Sequence, residues 1–526
     1  MIVRRFRPLA LAALVVAAVP IVATSTLAGA TLTPLASSGT VTGVVFDDKN
    51  ADGARVGASE IGVAGAEVRA YDSTGALVSS PNPVLTGADG SYSLTITNAA
   101  TDDLRVEFTT PTGYSPSPHG VDNGTSVQFV KVDDTGVDFG VLIPTNFCAD
   151  NLAQDLGSVV ATCFYPGASS WTPGTFNRDS VKYTAWNTGN GNVDAALAAN
   201  TSTGAVWGLG SQATTGLVFS SAVVRRHADL GPQGLGGIYV MRSGEKGVVE
   251  SYDLAALYSG QGVQFTNDPT KWTRAARGIV TPGSATDAAV SNALSTDIVG
   301  WDGVGTEGIG DIDVSDDHQY LWVVNLYEKT LLRITLDGTR DNPNLGAMTE
   351  FAIPTDICTV SGSNERPWAV DPQPDGTVRV GVVCDNAGSQ DTSAEFSLSN
   401  LAEGAYVYSL TPGTSAWTEL LQVDMAARTR YDRMCGQASG VANPIPEDGK
   451  CWGAWLSSWS SYTSPTLIGL LPQHPDGYAI FQHGQPMLVD IESLLDGSMV
   501  LSFNDRFSMQ IGYKNLQPTN TPEQIG

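Results

Sequence analysis

The sequence has no H-E-x-x-H pair, no Gly-x-Ser-x-Gly elbow and no phosphate-binding loop ending in Gly-Lys-Ser/Thr. The local signatures of a zinc protease, an α/β-hydrolase and a P-loop nucleotidase are therefore missing. Histidine is scarce: His119, His227, His318, His474 and His483 are scattered without metal-ligand spacing. No C-x-x-C pair occurs, which leaves a zinc ribbon or a thioredoxin-like motif without support. Positive charge is also short, with 28 Lys and Arg against 54 Asp and Glu in 526 residues, a formal net charge of −26. Such a surface repels phosphate backbones and anionic lipid, so neither nucleic acid nor a charged membrane is expected as a partner. After the first thirty residues no apolar run is long enough to span a bilayer.

What the first thirty residues do contain is a secretory leader. Arg4, Arg5 and Arg7 form a positive start, Leu9 to Val22 an apolar run, and Ala28-Gly29-Ala30 an A-x-A cleavage pattern. Pro20 interrupts a run already shorter than the ~20 residues of a membrane anchor. The mature chain is expected to work outside the cytoplasm, secreted or on the cell surface. The six cysteines, Cys148, Cys163, Cys358, Cys384, Cys435 and Cys451, all follow the leader. An even number in an exported chain suggests disulfides. Pairing sequence neighbours is one of fifteen possibilities, and buried free thiols are the alternative.

Charged residues make up only 16% of the chain, and it holds 57 glycines. Short β-branched runs between Gly-, Asp- and Asn-rich turns read as an all-β protein of more than one domain. The organisation changes near residue 145. Residues 31–145 read as a β-sandwich of about seven strands, with Thr40–Phe46, Val63–Tyr71, Ser91–Ile96, Leu104–Phe108, Ser126–Val132 and Gly136–Leu142 alternating in polarity. The loop after the first of these runs Asp48-Lys49-Asn50-Ala51-Asp52-Gly53, with Glu60 beyond. Oxygen side chains at alternate positions, a Gly for the turn and a distal carboxylate suit calcium. The spacing departs from an EF-hand loop in placing Glu60 one residue late, and a solvated Asp/Asn turn is the alternative. The class of affinity expected is that of extracellular modules, ~10⁻⁴ M.

Three segments carry the first resemblance: Gly43–Gly53, Glu60–Val68 and Thr86–Leu94. Together they resemble the calcium-binding B-type repeat of serine–aspartate-repeat adhesins, within the wider collagen-adhesin B-like, prealbumin-like sandwiches. The resemblance implies a stalk stiffened by calcium, with Asp48, Asn50, Asp52 and Glu60 as ligands.

Residues 146–526 read as a β-propeller. Ile312–Asn325, Val370–Val383 and Ile491–Asn504 share an apolar–acidic start, an acid at the turn (Asp317, Asp375, Asp496) and a second apolar strand. A looser copy runs from Ala205 to Ser220. This is the inner hairpin of a propeller blade, and six or seven blades are expected, the last incomplete. The segments Val206–Leu209, Arg225–Tyr239 and Gly310–Asp313 are similar to the propeller-like region that accompanies B-type repeats in bacterial surface proteins, a resemblance that implies no particular activity. Asp311, Asp313 and Asp371, with Trp207 and Trp368, are placed to line one mouth of the central channel. There rings could stack on sugars while carboxylates accept from hydroxyls. Turn-capping acids and core tryptophans are the alternative. His227, among Arg225, Arg226 and Asp229, reads as part of a structural ion-pair knot. The expected function is a binding or adhesion protein recognising an extracellular glycan or protein; a polysaccharide hydrolase or lyase and a structural envelope component are the alternatives.

Overall fold

The computed structural model describes residues 36–49, 51, 53–55, 60–144, 158–165, 167, 178–185, 195–279, 295–387, 404–425, 452–455, 484–494, 498–512, 515–516, 518 and 524–525. The leader, Asn50, Asp52, Cys148, Cys435, Cys451 and the turn at Asp496 lie outside them.

The N-terminal unit is two packed sheets. Its strands are β1 (Ser37–Asp47), β2 (Glu67–Asp72), β3 (Ser79–Ser80), β4 (Val84–Leu85), β5 (Ser91–Ala99), β6 (Asp103–Thr109), β7 (Ser115–Pro116), β8 (Val127–Lys131) and β9 (Phe139–Leu142). One sheet has the order β3-β5-β1-β9-β7 and the other β4-β2-β6-β8. The alternation read from the sequence decides which face is inward. In β5, Tyr92, Leu94 and Ile96 are buried while Ser91, Ser93 and Thr95 are exposed; in β6, Leu104, Val106 and Phe108 are buried. They meet Val41, Val45 and Phe139 in one core, each full burial contributing roughly 1.5–3 kcal/mol. The buried phenol of Tyr92 donates to the Val137 carbonyl at 2.6 Å, fixing the approach to β9.

The rest of the described chain is a series of antiparallel meanders. The first is three-stranded: β10 (Ser158–Thr162), β11 (Asp179–Ala185) and β12 (Ala195–Ala199). Three four-stranded sheets follow. They are β13 (Val206–Gln212), β14 (Leu217–Ala222), β15 (Gly237–Arg242) and β16 (Val248–Asp253); β17 (Ile309–Val314), β18 (Tyr320–Asn325), β19 (Thr330–Leu336) and β20 (Leu345–Ala352); and β21 (Glu365–Pro372), β22 (Val378–Cys384), β23 (Ala405–Thr411) and β24 (Ala416–Val423). The pair β25 (Pro486–Ser493) and β26 (Met499–Asp505) comes next. Each four-stranded sheet keeps its strands in chain order, and the first strands β13, β17, β21 and β25 pack against one another in sequence. That is blade topology, so the chain is all-β, a sandwich followed by a propeller. Each hairpin singled out in the sequence forms the first two strands of its sheet.

Glycine allows the inner strands to come close. A Cβ on Gly208 of β13 would stand 2.8 Å from the Ile312 nitrogen, and one on Gly310 of β17 would stand 3.0 Å from the Trp368 oxygen. A disulfide joins Cys358, ahead of β21, to Cys384 at the end of β22, as pairing of sequence neighbours expects; Cys163, which that pairing joins to Cys148, is instead a free, half-buried thiol. The two units touch where Lys49 Nζ meets Asp316 Oδ2 at 2.5 Å, in the turn between β17 and β18.

Candidate functional site

The loop after β1 holds buried acids. Asp48 and Glu60 are fully buried and Asp47 nearly so. Asp48 Oδ2 accepts from the Gly53 amide at 2.9 Å and from the Ser117 hydroxyl. Gly53 has φ +70°, and a Cβ there would stand 2.4 Å from the Gly120 Cα; only glycine suits that turn. Burial raises the Asp47 carboxyl to about 6 against the opposing charge of Lys49, with Asp316, Glu60 and Asp48 adding to the rise. Among the described residues no group of three His, Cys, Asp or Glu side chains is arranged to hold a metal. Two of the four expected calcium ligands, Asn50 and Asp52, are outside the described residues.

The second cluster lies on the inner strands. Asp311 and Asp313 of β17 both have carboxyl pKa values well above the usual range. For each the first cause is burial; Asp490 and Asp313 add to it at Asp311, and Asp371, Asp316 and Glu492 at Asp313. Asp371 of β21 is raised to about 6, chiefly by burial, with the Ser493 hydroxyl and Arg379 pulling the other way. Ser493 donates to Asp371 and accepts from Arg379. Backbone amides cap the first two acids: Val314 N donates to Asp313 at 2.7 Å and Val370 N approaches Asp311 at 3.5 Å. The sequence-nominated acids therefore sit together, in a wall that also holds Asp490 and Glu492 of β25. Those two were not foreseen, although their i, i+2 spacing repeats that of Asp311 and Asp313.

The tryptophans are placed differently from a sugar platform. Trp368 is 2% exposed, and its ring meets half-buried Trp207 edge-on at 5.9 Å; Phe164 stacks on Trp207 at 6.0 Å. Trp368 belongs to the core, and only Trp207 has an accessible edge.

Around His227 the structure shows a knot with partners other than those adjacent in sequence. Arg226 donates to the carbonyls of Thr296, Gln510 and Leu516. His227 Nδ1 lies 2.8 Å from the Ser295 hydroxyl, and burial together with Arg226 and Arg277 pushes its pKa well down. Asp229 pairs with Arg274 at 2.7 Å. At the centre Arg277 and Asp297, both side chains fully buried, pair at 2.6 Å. Arg277 also donates to the carbonyls of Ala228 and Arg225, and Asp297 accepts from the His227 and Gly300 amides. The Arg277–Asp297 and Arg274–Asp229 charges are matched, while the buried His227 Nε2 has no hydrogen-bond partner among the described residues; paired, buried charges of this kind fit a brace between loops.

Residues 39–142 match the family model described as SdrD B-like domain. That segment is similar to an SdrD B-like domain. The match covers the sandwich and stops before the propeller. Among curated proteins nothing matches the chain. Solved structures similar to it include a protein of Lactobacillus plantarum, 9% identical, covering 69% of this chain and 83% of that one at a TM-score of 0.26. A periplasmic gluconolactonase of Pseudomonas aeruginosa is 11% identical with the same coverage and a TM-score of 0.25. The major pilin subunit of Bacillus cereus is 10% identical, covering 74% of this chain and 93% of that one, at 0.14. At these scores the three carry no argument.

Proposed function

We propose that the chain is an exported binding protein, cleaved after Ala30, whose SdrD B-like domain is a calcium-stiffened stalk for a propeller that recognises an extracellular glycan or protein. The observation that carries this is the SdrD B-like domain itself, with Asp48 and Glu60 buried in its first loop. Buried carboxylates need compensating charge or hydrogen bonds, and hard cations take oxygen donors of this kind. Asp48, Asn50, Asp52 and Glu60 would hold the ion, which would fix the loop whose Lys49 reaches Asp316 of the propeller. Support for work outside the cytoplasm comes from the leader pattern and the Cys358–Cys384 disulfide.

The test is expression from the first codon in a bacterial host, recovery of the extracellular fraction and N-terminal sequencing. A product starting at Thr31 and retained on an immobilised polysaccharide or matrix protein supports the proposal. Retention of the whole chain in the cytoplasm overturns it.

One observation favours a second reading, a polysaccharide hydrolase. Asp371 and Asp313 lie on adjacent inner strands and burial raises both carboxyls, Asp371 to about 6, and a carboxyl held protonated near neutral pH suits a general acid. Release of reducing sugar that disappears in Asp371→Asn would favour that reading over recognition.

A further inference from the structure

A cleft lies away from both acid clusters. It has a volume of about 930 Å³ and opens between the Gly-rich loop from Asp229 to Gly236, which joins β14 to β15, and the segment from Val263 to Arg274 ahead of β17. That size falls within the ~300–1,000 Å³ of small-ligand sites. Its walls are built in. A Cβ on Gly231 would stand 2.3 Å from both the Thr203 oxygen and the Tyr239 hydroxyl, so the loop can lie this close only as glycine. Asp229 is 6% exposed and held by Arg274. Val263, Phe265 and Trp272 form a buried apolar floor.

We infer that this cleft binds a neutral oligosaccharide. The inference rests on the recognition reading above and moves the ligand from the inner-strand acids to the 229–274 region. Charge decides the class. Arg274 is the one basic residue of the lining and is neutralised by Asp229; the remaining acid, Asp253, caps the turn after β16 by accepting from the Ala255 amide at 3.0 Å. The lining therefore has no cation to spare for a uronate, sulfate or phosphate, and the chain's charge of −26 repels such ligands further. What it offers instead is amides and hydroxyls: Gln233, Gln264, Asn267, Thr201 and Thr266. Gln233 Nε2 is committed to the Ser251 hydroxyl at 2.8 Å, which orients the amide. Groups that donate and accept, over an apolar floor, match a sugar's hydroxyl rim and C–H face.

The experiment titrates the full exported chain, in calcium buffer, with cellotetraose, xylotetraose, maltotetraose, mannotetraose and chitotetraose, and with tetragalacturonate as the acidic probe. Asn267→Trp and Thr201→Trp each place a ring at an exposed position of the mouth, and near-ultraviolet circular dichroism and the melting midpoint check that they fold. The expected result is saturable binding of at least one neutral tetrasaccharide, weakened at least tenfold in both variants. Unchanged binding in the folded variants, or loss on Trp207→Ala instead, overturns the cleft and leaves recognition standing. Binding of tetragalacturonate alone overturns the neutral class. Silence on every sugar overturns the inference, while retention on a matrix protein would still uphold the wider reading.

Discussion

Arg277 and Asp297 show what single residues contribute here. Both side chains are fully buried, and the pair joins the loop around Arg225–Ala228 to the helix-capping Asp297 ahead of β17. Replacing Asp297 by Ala leaves a buried guanidinium with two carbonyl partners and no counter-charge, a loss of roughly 3–5 kcal/mol. The expected outcome is a large drop in the denaturant midpoint; a change below about 1 kcal/mol would mean the pair is solvated in solution. Asp371 makes a second residue-scale prediction. Its pKa is raised from 3.8 to about 6, so between those values the fold holds a proton that the unfolded chain has released. Stability from this group is present at low pH and is lost as pH rises from about 4 through 6, roughly 3 kcal/mol over the span. Asp371→Asn should therefore gain stability over the parent at pH 7.5 and little at pH 4. Equal differences at both pH values would contradict the shift. Such groups were only partly legible in the sequence. Asp311, Asp313 and Asp371 stand out because acids on a strand that must be buried are unusual. Arg277 and Asp297 do not, since they pair with each other and with backbone groups of loops that tertiary packing brings together.

At the scale of elements, the strands were the readable part. Tyr92, Leu94 and Ile96 alternate with polar residues because one face of β5 is buried, and a period of two has one inward reading. The inner hairpins were readable through their acidic turns. The outer strands β16, β20 and β24 were not, because they are half-exposed and their polarity is mixed. Two predictions belong here. Cys358 and Cys384 close a loop with a sequence separation of 26, worth roughly 3–4 kcal/mol through the unfolded chain. Cys358→Ser with Cys384→Ser should lower the melting midpoint by several degrees, and an unchanged midpoint would contradict that. For the loop after β1, a calcium dissociation constant of ~10⁻⁴ M predicts about 2.7 kcal/mol of added stability at 10 mM calcium. Glu60→Gln should abolish the calcium-dependent rise in melting; a rise that persists, or none in the parent, would count against Glu60 as a ligand.

For the whole molecule, the two-part plan was legible from composition and turn spacing. The cleft between the 229–236 and 263–274 loops was not, because loops distant in sequence form it. The junction was invisible as well: Lys49 lies in the loop after β1, and its partner Asp316 is 267 residues away. A partly exposed pair of this kind contributes no more than ~1 kcal/mol, so it orients the sandwich rather than locking it. Lys49→Glu, facing Asp316, should lengthen the maximum dimension in small-angle X-ray scattering, and an identical profile would mean that other contacts set the angle. The central claim is the proposal that the chain is exported and binds rather than transforms its target. The most direct measurement is one time course on immobilised polysaccharides and matrix proteins in calcium buffer, recording bound protein and released product together. The account predicts saturable binding with no product over many half-lives of dissociation. Steady release of product from any target would contradict it.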